Sequence, residues 1–200
     1  MASTHYAEDL RVSASLLQDA WSITSGFVGG GSLVPIETRE DATAQTLDRD
    51  IGIDAFHVLG GQVRGIASRF QFGDSAIRRV TGRPWDTFTV RYDRVNGART
   101  EYEKRLEQLR GIDSGAFYPF FWVQGYAAAA TGEILSLAVC RTEDLIEYIE
   151  QGIEGRDWTI QTVNNARFIA VKWDQYRRAD HWVKIWRRDR PARAPTANQP

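Results

Sequence analysis

A single cysteine in 200 residues excludes an intrachain disulfide and leaves no basis for a cysteine-built metal cluster. That residue, Cys140, follows the apolar run 134–139 and reads as a buried, inert thiol. His5, His57 and His181 have no metal-ligand spacing, and Ser136 lacks the glycines of a nucleophile elbow. A hydrolase triad is therefore unsupported, and His57, in an alternating apolar segment, reads as a packed strand histidine. The chain opens without a basic-then-apolar leader and has no apolar run approaching the roughly 20 residues of a membrane span. These absences predict a cytoplasmic protein, neither exported by a classical leader nor inserted in a membrane.

What is present describes an ordinary globular composition, with 42% hydrophobic and 26% charged residues. A chain near this length buries about two-thirds of the surface its unfolded form exposes. One α/β domain over residues 1–190 is expected, with a flexible tail over 191–200. The formal net charge of −1 hides an uneven distribution. Residues 37–54 carry six acids against two arginines, whereas residues 167–193 carry nine basic residues against three acids. Of the 25 basic residues, 22 are arginine, a side chain suited to bidentate phosphate contacts, although a skewed genome gives the same count.

Periodicity and punctuation outline the elements. Residues 6–23 have a loose helical face, and Gly29-Gly30-Gly31 reads as a turn without a phosphate-binding lysine. Short strand 32–36 and short helix 38–47 precede a hairpin of 51–58 and 62–71 turned by Gly60-Gly61. Strand 87–92 leads to the turn signal Asn96-Gly97. Thr100 and Glu103 form a capping box for a helix with the inner stripe Tyr102, Leu106 and Leu109, stopping at Gly111. Strands 118–127 and 134–139 follow, then a helix capped by Thr142 with Leu145, Ile146 and Ile149 inward. A final hairpin, 159–163 with 168–173, turns at Asn164-Asn165, and residues 174–186 are expected to form a short amphipathic helix. The fold class is α/β: a central mixed sheet flanked by helices, with an additional C-terminal hairpin and a basic aromatic element.

The string Asp50-Ile51-Gly52-Ile53-Asp54 places two carboxylates four residues apart at the mouth of a strand, before a glycine hairpin. With Ala67-Ser68-Arg69 on the next strand, it resembles the motifs of the restriction-endonuclease-like, or PD-(D/E)XK, superfamily, especially its Mrr-like members. The resemblance extends over residues 32–127 in element order, a three-stranded meander leading into a helix and another strand, with 87–92 as an extra piece. It implies a restriction-endonuclease-like core and a divalent-metal-dependent nuclease using Mg2+ or Mn2+, with Asp54 in the metal-binding position. The third motif departs from the family: Ala67 stands where an acid is expected, and Arg69 where a lysine is expected. Alanine cannot hold a hard cation, and arginine is a poor proton acceptor. A carboxylate from upstream would have to fill the vacancy, drawn from Glu37, Glu40, Asp48 and Asp50. The resemblance thus implies catalytic roles for Asp54, Arg69 and Glu40, and metal contacts from Asp54, Asp50 and Glu40.

Other polar residues admit both structural and functional readings. Glu101 and Lys104 are three apart and can meet on one helix side. Gln124 interrupts an apolar strand, so it either bonds within the core or faces a cleft. In the C-terminal segment, Arg177, Arg178, Trp182, Lys184, Arg187 and Arg188 interleave aromatics with positive charge. That combination suits nucleic acid, cations on phosphates and rings on bases; it equally describes a closing element or a protein interface. Three functions compete: a nuclease, a catalytically inactive nucleic-acid-binding protein, and a structural or protein-interaction factor of a phage or mobile element. The last would hold a partner protein or a second copy of the chain.

Overall fold

The computed structural model describes residues 3–36, 39, 41–93, 99–130, 132–163 and 166–188. At its centre lies strand β5 (Pro119–Ala127), whose residues are buried on both faces. Phe121, Val123 and Ala127 join one apolar cluster, whereas Trp122 and Tyr126 join another, as the period of two requires. β5 belongs to a six-stranded mixed sheet with β1 (Ser32–Pro35), β2 (Ala55–Leu59), β3 (Gln62–Phe72), β6 (Ile134–Arg141) and β9 (Val183–Arg187). The order is β1-β2-β3-β5-β6-β9. Its neighbours pair antiparallel except β3 and β5, which run parallel.

One face of this sheet is covered by helices α1 (Ser3–Asp19) and α2 (Trp21–Val28), with Leu16, Leu17, Ala20 and Val28 packed among Ile66, Phe121, Val123 and Val139. The helical pattern of residues 6–23 is thus divided at Ala20, between two helices. On the opposite face lies a three-stranded sheet of order β4-β8-β7, made of β4 (Thr87–Asp93), β7 (Thr159–Val163) and β8 (Ala166–Lys172). α4 (Glu101–Arg110), α5 (Thr142–Gln151) and α6 (Trp173–Arg178) complete this layer. Leu145, Ile146 and Ile149 are fully buried there, and Tyr102, Leu106 and Leu109 pack at its margin. The expected mixed α/β architecture with flanking helices is present, and residues 87–92 belong to the second sheet.

Four local differences from the sequence reading have physical causes. Helix α3 (Ala42–Thr46), capped by Asp41 Oδ1 accepting from Ala44 N at 2.9 Å, continues into a π-turn over Leu47–Ile51. Gly52 ends that turn at φ 72, a conformation that favours glycine, so β2 starts at Ala55 rather than Ile51. At α5, Thr142 is the first helical residue rather than the cap, and its hydroxyl makes no cap bond. The segment 174–186 is not one helix: α6 stops at Arg178, Asp180 adopts φ 64, and β9 then pairs with β6. Its poor helical period reflects residues alternating across a sheet edge. The capping box at Thr100 and Glu103 is present. Turn signals at Asn96-Gly97 and Asn164-Asn165, and the tail 191–200, lie outside the described residues.

No helix among the described residues is long and apolar enough to cross a membrane.

Candidate functional site

The hairpin register places Ala55 opposite Ile66, which sets Asp54 beside Ala67 at the end of the pair. Asp54 N donates to Ile66 O at 2.8 Å, fixing the backbone just ahead of β2. Its carboxylate turns toward β3, where Oδ2 accepts from Ser68 N at 2.5 Å and from Ser68 Oγ at 3.0 Å. Burial pushes the Asp54 carboxyl up to about 7, and the nearby Asp48 carboxylate adds to the shift. The Ser68 donors and Arg105 oppose it. Asp48 is itself raised by burial and lowered by Lys104.

From the other side, α4 brings Glu101 and Arg105, one turn apart and therefore on one helix face. Glu101 Oε2 accepts from Arg69 Nη2 at 2.6 Å and from Arg91 N at 3.1 Å, joining α4 to β3 and β4. Lys104 donates to Arg49 O. Arg105 is only 2% exposed. Its Nη1 donates to Ile51 O at 2.5 Å and Gln108 Oε1 at 2.9 Å, and its Nη2 to Gly52 O at 2.9 Å. A buried cation requires such partners, and here they are the carbonyls at the end of the π-turn. The guanidinium also lies 5.9 Å from the Trp122 ring centroid. Arg105 is thus the clamp that holds the turn carrying Asp54 against α4.

These groups surround one cavity of about 450 Å3, lined by Asp48, Arg49, Gly52, Asp54, Ala67, Ser68, Arg69, Arg91, Glu101, Lys104 and Arg105. Asp54 and Arg69 are brought together there, but Arg69 closes on Glu101 rather than Asp54. Asp50 goes elsewhere: its carboxylate pairs with Arg49 and it lines a separate cavity of about 180 Å3. The upstream acid that reaches the Asp54 cavity is Asp48. Glu40 and Glu37 lie outside the described residues. Sequence reading missed Arg105, whose available signal was its position four residues after Glu101, flanking the apolar stripe.

Gln124 is fully buried and does not line this cavity. Its Oε1 accepts from Thr89 N at 3.2 Å and Thr89 Oγ1 at 3.1 Å, tying β5 to β4. His57 is likewise structural, with Nε2 2.7 Å from Gly30 O. In the C-terminal series, Trp182 and Trp186 pack into the cluster beneath α1 and α2. Arg177 pairs with Asp174 at 3.2 Å, Arg187 with Asp174 at 2.9 Å, and Arg188 with Glu133. Arg178 and Lys184 are exposed. The aromatic rings of this segment therefore serve the core, and most of its arginines are matched by acids.

No protein-family model, curated protein or solved structure matches the chain.

Proposed function

We propose that the protein binds the phosphodiester backbone of nucleic acid at the cavity between the turn ahead of β2, β3 and α4, using a nuclease-like scaffold for binding rather than cleavage. The observation carrying this reading is the set of cations lining the cavity, Arg69, Arg91 and Lys104 with Arg49, which is paired to Asp50, and the buried Arg105 behind them, against Asp48, Asp54 and Glu101. Because Asp54 keeps its proton up to about 7, cations outweigh carboxylates further below that pH. Guanidinium groups match phosphate oxygens in geometry and charge. The element order, helices, the antiparallel meander β1-β2-β3, then β4, α4 and β5 beside β3, is compatible with the resemblance to a restriction-endonuclease-like core once β4 is set aside as an extra piece.

The described donors of this cavity do not by themselves make a site for the implied Mg2+ or Mn2+, and Glu37 and Glu40, the other acids the resemblance offers, lie outside the described residues. Among the described residues no three His, Cys, Asp or Glu side chains cluster to hold a metal. Glu101 is engaged by Arg69, one oxygen of Asp54 by Ser68, and cations crowd the same space. The activity we propose is binding of the phosphodiester backbone. A nuclease reading retains one supporting observation, the shared cavity of Asp54 and Glu101.

The test is fluorescence anisotropy of labelled DNA and RNA oligonucleotides across a salt series. Arg69→Gln is expected to weaken binding and to reduce the slope of log affinity on log salt by about one. Unchanged affinity and slope in a folded variant would overturn the assignment. Cleavage assays with Mg2+ or Mn2+ address the alternative: metal-dependent cleavage lost in Asp54→Asn would establish the enzyme.

A further inference from the structure

Arg69 lines two cavities. Beyond the cavity of Asp54, the second half of β3 borders a larger cleft of about 800 Å3 between the two sheets. This volume is in the range of small-molecule sites, about 300–1,000 Å3. Its walls combine rings and aliphatic groups, chiefly Trp85, Phe168, Ile77 and Val163, with the amides of Gln71 and Gln161. Phe168 has the Arg69 and Arg91 guanidinium groups 5.3 Å and 5.4 Å from its ring centroid. One border is the loop between Ile77 and Pro84, closed by Arg78 N donating to Arg83 O at 2.8 Å. At its tip Val80 is 97% exposed. Arg79 and Arg83 on the same loop are exposed, with no acidic partner among the described residues.

We propose that this cleft receives an unpaired base of single-stranded nucleic acid, so that the ligand of the adjoining cavity is a single strand rather than a duplex. This inference rests on the phosphate-binding reading and specifies its ligand. Three features lead to it. A phosphate at Arg69 leaves its nucleoside next to an apolar, aromatic cleft with amide groups at its edge. Rings and guanidinium planes provide stacking surface that any base can use. The loop cations Arg79 and Arg83 provide charge complementarity for the strand as it leaves, and an apolar tip between arginines suits contact with exposed base faces. A base inside a duplex cannot enter such a cleft without being unstacked.

The test uses the full chain and three fluorescein-labelled probes: a 12-residue oligothymidylate, its fully abasic counterpart with the same phosphates, and a duplex of the same length. Oligothymidylate is expected to bind at least about five-fold more tightly than the abasic strand, the smaller end of one stacked base, and more tightly than the duplex. Gln161→Trp, which fills the cleft, and Val80→Glu, at a fully exposed tip that does not threaten folding, are both expected to remove the preference for bases. They should leave abasic binding sensitive to Arg69→Gln. Equal affinity for oligothymidylate and the abasic strand, both weakened by Arg69→Gln, would overturn the base cleft while keeping the phosphate site. A duplex preference would also overturn it. Absence of binding by all three probes would overturn both readings.

Discussion

Replacing Asp54 by asparagine isolates the energetic consequence of burying a carboxyl beside a second acid. In the folded protein Asp54 holds its proton up to about 7, whereas an ordinary aspartate releases it near 3.8. Between those values the folded state binds more protons than the unfolded state, so stability falls as pH rises. Below the lower value the contribution is fully present, and above about 7 no further loss accrues. A shift of this size corresponds to at most about 4 kcal/mol across the window. Asparagine cannot ionise, yet its Oδ1 can still accept from Ser68 N and Oγ. Urea unfolding at intervals from pH 4 to pH 8 is the assay. Wild type is expected to lose stability across this range, and Asp54→Asn is expected to retain most of it, overtaking wild type at the alkaline end. Parallel curves for the two proteins, or a wild type that gains stability toward pH 8, would refute the reasoning.

The same titration predicts that affinity for oligonucleotides falls between pH 6 and pH 8, as an anion appears in the cavity, and that Asp54→Asn abolishes this loss in anisotropy titrations. Asp48→Asn should lower the Asp54 pKa by removing a neighbouring negative charge, a change read by NMR of the carboxyl carbon. Arg105→Met should destabilise by about 2–4 kcal/mol in urea unfolding, since it strips Gly52 O of its donor and frees the π-turn. Gly52→Ala should cost about 1–3 kcal/mol, because φ is 72 and a methyl group would sit 2.6 Å from Arg105 Nη2. Neutralising Arg79 and Arg83 together should reduce the salt slope by about two, whereas neutralising Arg187 and Arg188, which line neither cavity, should leave it nearly unchanged.

Much of the fold was legible because local signals agreed with burial. The Thr100 and Glu103 box, the Gly60-Gly61 hairpin and the apolar runs of β5 and β6 each carried a short-range cause visible in the residues themselves. The site was less legible. Arg69 could be placed on β3 and Asp54 close beside it from the hairpin alone, but the partner of Arg69 lies across the fold on α4, at Glu101. No turn or period reports such a contact. Arg105 resembled a surface residue of an amphipathic helix, and its burial depends on the carbonyls of a π-turn that the sequence does not announce. The C-terminal segment misled for a related reason. Its tryptophans have a spacing compatible with a helix, while the sheet edge at β6 draws Val183–Arg187 into a strand. Tertiary pairing decided that segment over local propensity.

The parallel pairing of β3 with β5 has a consequence for how the protein comes into being. Hairpins such as β1-β2-β3 close over short loops, whereas a parallel pair must wait for its crossover, here β4 and α4, to be made and folded back. Non-local pairings of this kind are slow. The hairpin alone sets Arg69 on β3 with Asp54 close beside it, whereas the contacts of Glu101 and Arg105 against them need the crossover. Without the docked crossover the arginine of β3 would lack the carboxylate that holds it, and the π-turn its clamp. The geometry of this cavity is consequently a property of the finished chain, complete when the crossover docks and β5 seals the centre of the sheet.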